Sequence, residues 1–192
     1  MSSNTLLISV QGIKDRTGLH SNVDEKQVKP DIKFCQDSYI LPILGTALMN
    51  KLQSDIDGSG TSGDYTTLLE DYIWDALCYY TLSESPVMLS YQNYNKGTIR
   101  KSSENTVTPD MQDIIEVANK FKARAEYYGQ RLARYVLQNH TLFPEYDAPG
   151  NGIDTIRPEH TAFKASMYLG DDCNCNGGFY PVAASNFKKG CR

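Results

Sequence analysis

The stretch from Val28 to Ile56 reads VKPDIKFCQDSYILPILGTALMNKLQSDI. Ile32, Cys35, Gln36, Tyr39, Ile40 and Ile43 recur at the spacing of one helix face. Yet Pro42 and Gly45 stand in its middle. An interior proline removes a donor and its ring meets the carbonyl of the preceding turn, at a cost of about 3 kcal/mol or more. An interior glycine costs roughly 1 kcal/mol relative to alanine. Two breaks so close together predict a corner. A first helix runs from about Pro30, which suits a first helical position. A second follows Thr46 as its cap, with Leu48, Met49, Leu52 and Ile56 on one side.

The rest of the chain divides around that corner. Residues 1–28 read as an N-terminal arm, with TLLISV as one short strand and a polar, irregular continuation that ends near Asn22 or Asp24. DGSGTSGD (57–64) is a flexible connector. The next helix carries a broad apolar stripe that includes Leu68, Leu69, Tyr72, Ile73, Leu77 and Tyr80, and Pro86 ends or kinks it. At about 88–104 the period changes, and Asn95-Lys96-Gly97 is a turn signal for a β-hairpin. Thr108-Pro109-Asp110 opens the longest helix, with the threonine as cap. Its lysines and arginines gather toward the C-terminal half, which suits the helix dipole.

After Asn139 the composition shifts to proline and glycine without a sustained period. Residues 141–192 read as an extended tail. Its aromatics, among them Phe143, Tyr146, Phe163, Tyr168 and Phe179, argue for a bound segment rather than a solvated one. The expectation is that this tail lies on a neighbouring subunit, and that deleting 141–192 leaves the helices folded.

The chemistry is sparse. There is no glycine-rich phosphate loop, no His-Glu-x-x-His and no Gly-x-Ser-x-Gly. His20, His140 and His160 fall in separate irregular regions or helix ends, so no triad is argued and no enzyme is expected. Cys173 and Cys175 are one residue apart, and only Cys191 and His160 remain to complete a cage, so no metal and no cofactor is expected. A small metal-binding protein using Cys173 and Cys175 is the weaker alternative. The five cysteines are odd in number and form no disulfide framework. Lys96, Gly97, Arg100 and Lys101 bring charge to the hairpin tip, either as a solvated loop or as a contact for DNA or an acidic partner. Net charge is −4, a poor footprint for general nucleic-acid binding. No run approaches the roughly 18 apolar residues of a membrane span. The N-terminus lacks a basic region and long apolar run, so synthesis in a cytoplasm is expected.

Gln36, Tyr39, Ile40, Pro42, Leu44, Gly45 and Thr46 form a Gln-x-x-Tyr-Ile-x-Pro-x-Leu-Gly-Thr run. With YIWDALCYYTLSESPVMLSYQNYNKGTIRKSSENT and AEYYGQRLARYVLQN, this run resembles the head–tail connector (adaptor) proteins of tailed bacteriophages, in the crAss-like form. The likeness covers roughly residues 20–145. It implies a structural virion protein, made in the host bacterial cytoplasm and located at the head–tail junction. It implies a homo-oligomeric ring of twelve subunits below the portal protein. Tail or second-ring proteins would dock on it, and DNA would pass through the lumen during ejection without sequence-specific binding. A helical virion or host-interaction protein without ring symmetry is the main alternative.

The expected fold is therefore mostly α: a small helical bundle over 29–140 with a β-hairpin insertion, an arm before it and an extended C-terminal tail after it. Pro42, Gly45 and Thr46 are the expected corner and packing residues, within one subunit or against a neighbour.

Overall fold

Ser9 accepts a hydrogen bond from the Gly12 amide and so caps α1 (Val10–Arg16). The computed structural model describes residues 5–94, 97–100, 110–148, 150, 152 and 155–159, and these are mostly helical. The expected arm is a correction. Leu7, Ile8, Val10 and Ile13 are buried in the common core, and TLLISV contributes no strand. Short amphipathic turns leave too few apolar repeats for a helical period to stand out beside the polar residues around them.

Asp24 caps α2 (Glu25–Cys35) by accepting from the Lys26 amide. The helix thus starts earlier than Pro30 suggests, and Pro30 lies inside it. A π-turn (Gln36–Ile40) then leads without a break into α3 (Leu41–Leu44). The Leu41 amide reaches back to the Gln36 carbonyl, the longer span of a π-turn. Opening the helix just before Pro42 makes room where the ring would otherwise crowd the preceding turn. The proline therefore sits at the start of α3 instead of ending a helix.

Gly45 makes the corner, and α4 (Thr46–Asp57) leaves from it. A second continuous helix follows, from α5 (Asp64–Thr67) through a π-turn (Leu68–Ile73) into α6 (Trp74–Ser90). Pro86 does not end it. The hydroxyls of Thr81, Ser83, Ser85 and Ser90 fold back onto carbonyls of their own helix, which satisfies them in an apolar setting. Residues from Ala76 to Ser85 are buried on several sides, so α6 is the central helix and lacks a single polar face.

β1 (Tyr91–Tyr94) and β2 (Gly97–Arg100) pair antiparallel, with Tyr91 opposite Arg100 and Tyr94 opposite Gly97. α7 (Met111–Gln138) returns along α6. Its cap is Asp110, not Thr108, because Asp113 reaches back to complete a capping box. Stacked rings join α7 to the continuous α5–α6 helix: Tyr79 on Tyr128 at 5.1 Å and Tyr72 on Tyr135 at 3.8 Å. A 3-10 turn (His140–Leu142) and α8 (Pro144–Asp147) close the body. No helix among the described residues is long and apolar enough to cross a membrane.

Candidate functional site

At the corner a constrained glycine and three backbone-anchored hydrogen bonds meet. Gly45 has φ 77° and ψ 162°, a backbone region open essentially to glycine alone. A methyl group in place of its hydrogen would lie 2.8 Å from Pro158 Cγ and 3.2 Å from the Ile156 carbonyl oxygen. So the glycine serves twice, in its dihedrals and in letting a distant segment of this same chain approach. The Thr46 amide donates to the Ile156 carbonyl at 3.0 Å, and the Ile156 amide donates to Thr46 Oγ1 at 2.8 Å. The Glu159 amide donates to the Pro42 carbonyl at 2.6 Å. Thr46 is thus the first residue of α4 and a docking residue, while Gly45 holds the cap position.

Just before the corner, Gln36 is fully buried. Its Oε1 accepts from the Leu7 amide at 2.9 Å and its Nε2 donates to the Thr5 carbonyl at 3.0 Å. Gln53 Nε2 donates to the same Thr5 carbonyl at 3.1 Å, and Trp74 Nε1 donates to the Leu7 carbonyl at 2.7 Å. The extended backbone ahead of α1 would bury polar groups at a cost, and these three side chains satisfy them.

Between α2 and α6 lies a polar cluster. Tyr39 stacks on Tyr80 at 4.2 Å, and its hydroxyl donates to Glu84 Oε1 at 2.8 Å. Burial pushes the Tyr39 phenol up, and the Glu84 carboxylate adds to this by accepting its proton in a hydrogen bond. Burial likewise pushes the Cys35 thiol up to about 12, with Glu84 adding to it. A thiol held protonated is not a nucleophile at neutral pH. Burial also raises the Asp31 carboxyl, whose Oδ2 has no hydrogen-bond partner among the described residues. The cluster packs two helices and offers no activated base beside a nucleophile. No group of three His, Cys, Asp or Glu among the described residues is placed to hold a metal ion.

A family model matches residues 40–156, more than half of the chain. It begins at Ile40, at the end of the π-turn, and ends at Ile156, the residue bonded to Thr46. The chain belongs to the DUF6712 family, a family of unknown function. No curated protein and no solved structure matches the chain significantly.

The DUF6712 match takes in Pro42, Gly45 and Thr46, which the structure brings together with 155–159. Of the residues expected at the hairpin tip, Gly97 and Arg100 belong to β2, whereas Lys96 and Lys101 lie outside the described residues. Phe143 and Tyr146 are a correction. They are buried in the core, Phe143 fully, and the boundary at 140 cuts through the folded body. Phe143 packs edge-to-face with Tyr65 and at a tilt against Tyr135, and the Tyr65 hydroxyl donates to Glu145 Oε2 at 2.7 Å. Prolines and glycines hid this, because Phe143 lies between two very short helical turns and Tyr146 on the second, with no period to read. Phe163, Tyr168, Phe179, His160, Cys173, Cys175 and Cys191 lie outside the described residues. His20 Nδ1 accepts from the Asn22 amide, and His140 pairs with Asp147 at 2.7 Å.

Missed at the level of sequence were Gln36 and Trp74 as clamps on residues 5–7, and Ile156 and Pro158 as the occupants of the corner. A buried glutamine on an otherwise apolar helix face was the available signal for the first.

Proposed function

We propose that this chain is a structural subunit of a phage head–tail connector, a ring-forming adaptor below the portal with a channel for DNA. The observation that carries the reading is the corner itself. The Gln36–Thr46 run, on which the resemblance to connectors rests, is spent on architecture: its polar groups that meet another segment tie distant parts of this same chain together. Buried thiols and phenols shifted away from neutral pH fit the same use. The β1–β2 pair lies at the turn between the two long helices and supplies an element for contact with a neighbour or with tail proteins. The reading includes virion localisation and about twelve subunits per ring.

Light scattering of the purified full chain, with negative-stain imaging alone and beside the portal of the same phage, tests it. A ring or a ring-on-portal complex supports the reading. A monomer that neither closes into a ring nor binds portal overturns it.

A further inference from the structure

Charge is segregated along this chain. From Leu52 to Asn95 there are seven acidic residues and no lysine or arginine. On α7 the order reverses: Lys120, Lys122, Arg124, Arg131 and Arg134 are interrupted only by Glu126. Lys120, Arg124, Tyr127, Arg131, Arg134 and Gln138 alternate at four- and three-residue steps, so they share one face. All six are exposed, and the stripe is about 27 Å long at about 1.5 Å per residue. The helix dipole does not account for it, since its effect fades within the last turn and the last turn of α7 holds no basic residue.

Internal pairing does not account for it either. Arg131 lies over the Tyr72 ring at 4.5 Å and approaches Asp75 at 3.7 Å. Lys120, Lys122, Arg124 and Arg134 form no ion pair among the described residues. On the acidic side, Asp64, Glu70 and Asp71 are exposed and also form none. Asp71 stands beside the stripe, since its carbonyl accepts from Arg131 Nη1 at 3.5 Å. Tyr127, 66% exposed, borders a hollow of about 250 Å³ that Arg131, Arg134 and Gln138 also line. An exposed tyrosine among arginines is the composition of a protein interface.

We infer that the stripe on α7 docks onto the acidic Asp64–Asp71 surface of a second copy of this chain. A free polyanion is the less fitting occupant, because a chain of net charge −4 repels it at long range. A second copy offers matched carboxylates that its own fold leaves unpaired. Complementary faces steer encounter and set register between subunits. The inference rests on the reading above in that it requires self-association, and it names the surface.

The test is sedimentation of the full chain at low and at molar salt, since at 1 M the screening length falls to about 3 Å. Lys120→Glu with Arg124→Glu and Arg134→Glu should weaken self-association at least about tenfold at low salt. Glu70→Lys with Asp71→Lys should do the same. All five changes in one chain should restore association to within about threefold, a coupling that mere misfolding does not produce. Circular dichroism keeps unfolded variants out of the comparison. If the wild type assembles but the stripe variant assembles equally well, the surface assignment falls and the connector reading stands. If the combined variant is not restored, the pairing of these two faces is wrong. Loss of binding to a duplex DNA fragment with self-association unchanged would make the stripe a polyanion site and overturn the inference. A wild type that is monomeric at every salt overturns both.

Discussion

Thr46 and Ile156 are joined by two hydrogen bonds across a separation of 110 residues. Around them the Pro42 carbonyl accepts from Glu159, and Pro158 fills the space beside Gly45. The opening break in a helix is therefore a socket. Its glycine turns the chain and its threonine holds the segment that arrives from the far side of the fold.

Gly45→Val should be among the most damaging single changes outside the apolar core. A β-branched residue tolerates positive φ poorly, and strain of this kind costs about 1–3 kcal/mol. The added atoms also meet Pro158 at under 3 Å, so the 155–159 segment must leave. The expected outcome is a lower melting temperature and faster hydrogen exchange at the Ile156 and Glu159 amides. Unchanged protection at those two amides would show that the socket does not hold the segment.

Gln36→Leu should release the residues ahead of α1 while keeping the helix. The Leu7 amide would be buried without an acceptor, at about 1–3 kcal/mol. Trp74 is the single tryptophan and its Nε1 bonds the Leu7 carbonyl, so its fluorescence reports the event directly. A shifted emission maximum before global unfolding is expected. An emission identical to wild type with unchanged stability would mean that the clamp carries no weight.

The corner was legible because proline and glycine act locally, through a missing donor and a missing Cβ. Its occupant was not legible, since nothing near Ile156 or Pro158 signals a partner at Thr46. The same contrast runs through the helices. The stripe that runs through the Leu68–Ile73 π-turn and the face of α7 are readable from their period, whereas Phe143 and Tyr146 read as tail because one falls between two very short turns and the other stands alone on the second. Caps fell between these cases. Thr108 and Asp110 are both good candidates, and the choice was made by Asp113, which completes a box only with Asp110. Gln36 was read as part of an apolar face, and its role depends on backbone that arrives from residues 5–7.

Asp31 gives a pH dependence of definite sign. Burial raises its carboxyl above the usual value in the folded chain. The stability linked to that shift is present at acid pH, where the group is protonated in both states. It is lost as pH rises through the raised folded value. Asp31→Asn should therefore melt higher than wild type at neutral pH, by about 2–4 °C for each kcal/mol recovered, and no higher near the ordinary carboxyl range. Thermal melts of both proteins from acid to neutral pH measure this. A difference that is constant across that range would exclude the ionisation of Asp31 as its cause.

Phe143 decides where the folded body ends. It is fully buried and bridges Tyr65 of α5 to Tyr135 of α7. Tyr146, on α8, is 6% exposed, and Glu145 beside it accepts from Tyr65. Phe143→Ala should cost about 3–5 kcal/mol, the range for emptying an aromatic site in a packed core. A chain stopped at His140 loses both aromatics and the corner segment together, and should fold poorly or not at all. A chain stopped at Glu159 keeps them, and should melt close to the full-length protein. Comparing the two truncations by thermal melt separates a body that closes by about 159 from one that closes at 140. If the shorter chain melts as the longer one does, the aromatics lie against the core without supporting it, and the boundary at 140 is restored.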